Sequence, residues 1–211
     1  AVSLNSATAA LHLALLVAGV EGAEVITTPM TFVSSNHAIL YNDGIPVLAD
    51  IQADTLNIDP DDIERKITPK TRAIMVVDYG GHPADLDRIH AIAAAHNLMV
   101  IEDAAHAAGA RYKDKPVGSI SPLTCFSFHP RKSITSGEGG MITTNDDAAA
   151  TRIRALRSHG VSTSAFASIA RINEKTSSGE KSMSASMNSK CVQSLWRNIA
   201  DKRLRARLID G

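Results

Sequence analysis

The sequence predicts an α/β fold, a three-layer sandwich around a mostly parallel sheet. Three observations carry this. Strand-like and helix-like segments alternate along residues 1–160, the strand-like runs are short and almost wholly apolar, and Gly, Pro, Asn or Asp marks most of the joints. In such sheets ligands bind beyond the carboxyl ends of the strands, so strand ends become candidate site residues.

Ser6 is placed to cap a helix over Ala7–Ala18, rich in Ala and Leu and ended by Gly19 and Gly22. Glu24–Thr28 reads as a short strand closed by Pro29. A helix is expected from about Phe32 to Tyr41, followed by a turn at Asn42-Asp43-Gly44. The strand Pro46–Ala49, the short helix Asp61–Lys66 and the strand Ala73–Asp78 come next. Asp85 starts a helix reaching His96, and Leu98–Glu102 is a buried-type strand. The apolar runs Leu123–Phe128 and Met141–Thr144 flank a turn made of Ser, Thr and Gly.

The chain is 211 residues long with zero formal net charge, 44% hydrophobic and 21% charged residues. No apolar run approaches the ~18 residues of a membrane span, and no export signal is present, so a cytoplasmic protein with no membrane partner is expected. Cys125 and Cys191 form no CxxC pair, and the eight histidines fall in no metal-binding pattern; no metal is expected. Charge is uneven. Residues 1–160 hold 13 Lys+Arg against 18 Asp+Glu, whereas residues 161–211 hold 9 against 4 and contain 10 Ser. Without aromatic platforms this basic tail does not point to nucleic acid. Within it, Val192–Ile209 has the pattern of one amphipathic helix.

Four places could carry chemistry. Lys132 lies between the last two apolar runs, ahead of Gly137, Gly139 and Gly140, where the backbone can bend sharply. Taken alone it is a surface lysine on a hairpin; an amine held there can also form a Schiff base with a carbonyl. Asn5-Ser-Ala-Thr-Ala-Ala starts a helix with exposed N–H groups, an ordinary cap or a phosphate seat. Asp103 follows a buried strand as a helix cap or as partner of a protonated ring nitrogen, with His106 three residues on, and Phe32 either packs in the core or stacks on a planar ring. Together these are what pyridoxal phosphate (PLP) requires. A nicotinamide-dependent oxidoreductase lacks its GxGxxG here.

The segments Asn5-Ser-Ala-Thr-Ala-Ala-Leu-His, Glu24-Val-Ile-Thr-Thr-Pro-Met-Thr-Phe-Val, Val100-Ile-Glu-Asp-Ala-Ala-His-Ala and Ser127-Phe-His-Pro-Arg-Lys-Ser-Ile-Thr-Ser-Gly-Glu-Gly-Gly resemble, in order, the DegT/DnrJ/EryC1/StrS family. These are fold-type-I PLP-dependent sugar aminotransferases. The resemblance implies that Lys132 is the Schiff-base lysine and Asp103 the partner of the pyridine nitrogen. It implies that His106 lies near the ring hydroxyl, that Ala7, Thr8 and Ser127 hold the phosphate, and that Phe32 stacks on the ring. It implies transfer of an amino group, usually from glutamate, to a nucleotide-linked keto-deoxysugar for cell-surface polysaccharide, by a homodimer with shared sites. Residues 1–160 are thus expected to be the PLP-binding large domain. The absence of an initiator Met, of an N-terminal helical segment and of a C-terminal small domain marks the chain as an expected fragment. Val161–Gly211, matching no family motif, reads as an atypical tail, non-native or frameshifted. The competing expectation is a catalytically inactive truncated relative that binds PLP or regulates.

Overall fold

The computed structural model describes residues 1–160. The expectations for the tail, including the Val192–Ile209 helix, lie outside the described residues. In chain order the strands are β1 (Val2–Leu4), β2 (Glu24–Thr27), β3 (Ile45–Leu48), β4 (Thr71–Val77), β5 (Met99–Asp103), β6 (Arg111–Tyr112), β7 (Lys115–Pro116), β8 (Leu123–Ser127) and β9 (Gly140–Thr143). The helices are α1 (Ala7–Ala18), α2 (Ser34–Tyr41), α3 (Pro60–Lys66), α4 (Leu86–Ala95) and α5 (Asp147–Arg157). Seven strands form one sheet in the order β1-β9-β8-β5-β4-β2-β3, and β6 and β7 make a separate two-stranded ribbon.

β3, β2, β4, β5 and β8 run parallel, while β9 is antiparallel to β8 and β1 antiparallel to β9. The sheet is therefore mostly parallel, with an antiparallel pair at one edge that carries the turn around Lys132. Each central strand is buried on both faces, and its side chains divide by period two. Ala73 and Met75 of β4 and Ile101 of β5 face a core completed by Leu11, Ala14 and Leu15 of α1 and Ile153 of α5. Ile74 and Val76 of β4 and Val100 of β5 face Ile63 of α3 and Leu86, Ile89 and Ile92 of α4. These are the three layers.

The elements differ from their predicted bounds in ways with local causes. α2 starts at Ser34 rather than near Phe32, because the Phe32 carbonyl is engaged by Ser35 N–H at 3.1 Å in the turn that opens the helix. β3 is an edge strand, where Pro46 removes no ladder hydrogen bond. β1, three residues long, is too short to show alternation in sequence. α5, which the sequence reading left undefined, is capped by Asp146, whose carboxylate accepts from the N–H groups of Ala148 and Ala149 at 2.8 and 3.1 Å.

Candidate active site

The carboxyl ends of β4, β5 and β8 and the start of α1 open into one cavity of ≈ 570 Å³. All seven residues singled out in the sequence line it: Ala7, Thr8, Phe32, Asp103, His106, Ser127 and Lys132. They come from four segments far apart in the chain, and the parallel sheet is what brings them to one edge.

α1 begins at Ala7, with Ser6 in extended conformation accepting from Ala9 N–H at 3.1 Å. That leaves the N–H groups of Ala7 and Thr8 without intrahelical acceptors at the positive end of the helix dipole. Ser127, the last residue of β8, is buried with its hydroxyl at the mouth of the same cradle, where it accepts from His129 N–H at 3.4 Å. Gly140, opposite Ser127 in the ladder, is the contact between the two: a Cβ there would sit 2.2 Å from Ser6 O and 2.6 Å from Ala7 N. Its small size serves this close approach rather than the bend expected from sequence. The bend is at Gly137, with φ +83°.

Asp103 ends β5 and is buried, and no cation is bonded to it among the described residues. Ala105 N–H donates to Oδ1 at 3.2 Å and Ser35 O–H to Oδ2 at 2.7 Å. Ser35 has one hydroxyl proton; with that committed to Asp103, Thr31 O–H, 2.7 Å away, donates to Ser35 Oγ. Burial pushes the Asp103 carboxyl above its usual range, against the opposing pull of Ser35, Ala105, Lys132 and His106. A buried carboxylate so held calls for a cation in the cavity.

Lys132 sits in the β8–β9 turn. Its N–H donates to His129 O at 2.9 Å, and the turn is closed by Ser136 N–H and Thr135 O–H donating to Phe128 O at 3.1 and 2.9 Å. Partial burial and the adjacent Arg131 lower the amine below its ordinary value, with Asp103 pulling the other way. The His106 imidazole is lowered too, first by desolvation and then by Lys132. Phe32 is 73% exposed at the cavity wall, an aromatic face with no ring stacked on it among the described residues.

These residues fit PLP. A cradle of free N–H groups and a hydroxyl suits a phosphate. Buried Asp103 suits a protonated ring nitrogen, the exposed ring of Phe32 suits a flat heterocycle, and the desolvated amine suits a carbonyl carbon.

The model of the DegT/DnrJ/EryC1/StrS aminotransferase family matches residues 1–210. The chain belongs to this family. The match runs on through residues 161–210, beyond the last of the quoted motifs. Spore coat polysaccharide biosynthesis protein SpsC of Bacillus subtilis is 48% identical over 167 residues, 79% of this chain and 43% of SpsC. Among solved structures, DesI in the presence of its TDP-sugar product is similar at 40% identity and TM-score 0.73, covering 75% of this chain and 40% of DesI. The PLP-form of Spr1654 from Streptococcus pneumoniae matches at 39% identity and TM-score 0.65, covering 70% of this chain and 42% of that one. The chain spans less than half the length of these relatives.

Sequence reasoning missed several members of the site. Ser35, which donates to Asp103, lies in no quoted motif, and Thr31, which donates to Ser35, sits in the segment around Phe32 without being singled out; only the fold brings them against the end of β5. Asp78, Tyr79, His129, Arg131 and Glu138 also line the cavity. Asp78 had one available signal, an acidic residue directly after a buried strand, the same signal that picked out Asp103. Among the described residues, no group of three or more His, Cys, Asp or Glu is placed to hold a metal ion, and no helix is long and apolar enough to cross a membrane.

Proposed function

We propose that this chain is the cofactor-binding part of a PLP-dependent aminotransferase that moves an amino group from an amino-acid donor, glutamate in the first instance, to a nucleotide-linked keto-deoxysugar used in polysaccharide synthesis, and that it works as a homodimer. The observation that carries the reading is the shared cavity, with Lys132 and the buried carboxylate of Asp103 entering it together. SpsC and the DesI–TDP-sugar structure support the sugar substrate.

When bound, PLP supplies an electron sink for the carbon that carries the amino group. The rest falls to the protein. The N–H groups of Ala7 and Thr8 and the hydroxyl of Ser127 hold the phosphate. Phe32 covers one face of the ring. Asp103 stays ionised once it has a cationic partner and keeps a proton on the ring nitrogen; His106, neutral because of its lowered pKa, hydrogen-bonds the ring hydroxyl. Lys132 Nζ would hold the carbonyl carbon of the bound cofactor, with water as the group released. Burial lowers this amine from its ordinary value, which favours the free base, and once released the same nitrogen would carry a proton between carbons.

The purified chain is mixed with PLP, reduced with borohydride and digested. The expected result is a pyridoxyl adduct on the peptide containing Lys132, absent in Lys132→Ala. An adduct spread over surface lysines, unchanged in Lys132→Ala, overturns the assignment. Amino transfer is then read with glutamate and a panel of nucleotide-linked keto sugars.

A further inference from the structure

Two more carboxyls are buried close to Asp103: Asp78, 1% exposed, just past β4 where it lines the cavity, and Glu102, 0% exposed, on the sheet face opposite Asp103. Glu102 is paired in the ladder with Val76 on one side and Thr124 on the other. Asp78 lies two residues beyond Val76 and so projects from the same face as Glu102. Each carboxyl has one oxygen satisfied. Asp78 Oδ1 accepts from Ala84 N–H at 3.2 Å, and Glu102 Oε2 from Thr124 O–H at 3.0 Å. Among the described residues each has one oxygen with no partner, Asp78 Oδ2 and Glu102 Oε1. Val76 pairs with Glu102 and Val77 with Asp103, and Asp78 N–H donates to Asp103 O at 3.1 Å, which sets the two side chains side by side at the end of the sheet.

Two carboxylates, neither bonded to a lysine or arginine among the described residues, do not both remain ionised in a buried site. One proton placed between the two orphaned oxygens satisfies both. We propose that Asp78 and Glu102 share a single proton and act as a positioning pair, fixing the turn that follows β4 against the strand that carries Asp103.

The connections run outward from that pair. Asp78 holds the turn by its side chain at Ala84 and by its carbonyl, which accepts from Gly81 N–H at 3.0 Å. Asn57 holds the same turn from the other side, accepting from Tyr79 N–H at 2.9 Å and donating to His82 O at 3.0 Å. The turn presses on the backbone next to the site: a Cβ at Gly81 would lie 2.7 Å from His106 O. Glu102 is the immediate neighbour of Asp103. A shared proton therefore ties the Tyr79 wall and the Asp103–His106 wall of the cavity into one unit. The pair goes beyond the aminotransferase reading and does not depend on it.

Burial and the nearby Glu102 charge raise Asp78 to about 9. In the unfolded chain the same carboxyl ionises near the ordinary 3.8. Between these values the folded state binds the extra proton, so its contribution to stability is present at low pH and is lost as pH climbs toward about 9. The titratable groups near the pair are His90 on α4 and, on the opposite face of the sheet, Asp103 on β5 and Cys125 on β8. His90, hydrogen-bonded to Ser121 at 3.1 Å, is lowered, chiefly by burial, and Cys125 is raised. All three are retained in single variants at Asp78, so a difference between variant and parent isolates the pair.

The test is infrared titration of the purified chain, with thermal melting alongside. The parent is expected to show the C=O stretch of a buried protonated carboxyl at pH 7, fading as pH passes about 9. In difference spectra against the parent, where the Asp103 carboxyl cancels, both Asp78→Asn and Glu102→Gln are expected to have lost it. The parent should also lose roughly 5 °C more in Tm than Asp78→Asn between pH 7 and pH 9. Absence of the stretch in the parent overturns the proposal, as does its persistence in both variants, or equal pH dependence of Tm in parent and Asp78→Asn. None of these readouts requires cofactor, so they stand even where the PLP experiment fails.

Discussion

Asp103 and Lys132 reach the same cavity from opposite kinds of scaffold. Asp103 closes a central strand, 4% exposed, with β4 and β8 bonded on either side and two donors on its carboxylate. Lys132 stands in a turn whose residues Ser133 to Glu138 are all exposed, held by hydrogen bonds within the turn itself. One half of the site is thus fixed by the core of the sheet and carries the desolvation cost of a buried acid. The other half is fixed locally, at the surface, where water can replace a lost bond. The division suits the chemistry proposed. The acid must hold still against a ring nitrogen, whereas the amine must leave and return.

The sharpest way to break this comparison is to remove the charge of Asp103 while keeping its shape. Asp103→Asn is expected to leave the melting temperature of the cofactor-free chain unchanged or slightly higher, because a buried acid without a cation gains little from its charge. Affinity for PLP should fall by about 3 kcal/mol, more than a hundredfold, as the ring nitrogen loses its partner. Spectral titration and melting of the two proteins check both halves; a large loss of stability in the variant would mean that the carboxylate is structural. Next in size is Gly140→Ala, which strikes where the two halves meet. The added methyl lies 2.2 Å from the backbone of Ser6, which cannot rotate away, and about 3 kcal/mol of stability should be lost. A melt indistinguishable from the parent would show that α1 can move off β9 freely.

The same division explains how much could be read from the chain beforehand. The alternation of elements, the two-sided burial of β4 and β5, and the helix bounds of α1 follow from local patterns, and the structure has them in place. Asp103 and Lys132 were visible because strand ends and Gly-rich turns leave marks in the sequence. Ser35 left none. It reads as one more residue in a helix, and its bond to Asp103 spans 68 positions. Asp78 and Glu102 were legible as buried strand residues, yet their pairing depends on the register of β4 against β5, which no local pattern specifies. Gly140 was legible as a glycine and misread as a bend, since the close approach of Ser6 is a tertiary fact.

The smallest expected effects sharpen the comparison most, because they set like against like. Ser35 and Thr135 are both hydroxyl residues that give one proton and accept one: Ser35 to Asp103 and from Thr31 at 2.7 Å each, with Phe32 O a competing acceptor at 3.2 Å, and Thr135 to Phe128 O at 2.9 Å and from Gly137 N–H at 3.0 Å. Counting bonds alone, their alanine variants should cost the same. Ser35 is buried, however, and its loss strands Asp103 Oδ2 away from water, so Ser35→Ala should cost about 2 kcal/mol in denaturant unfolding. Thr135 is exposed, and water takes over both of its bonds, so Thr135→Ala should cost about 0.5 kcal/mol. Ser35→Ala should also raise the Asp103 carboxyl further, since the hydroxyl that favours its ionised form is gone, and PLP affinity should drop with it. Equal costs for the two variants would mean that the lysine turn is as deeply built into the fold as the end of β5, and the contrast between a fixed acid and a locally held amine would fall.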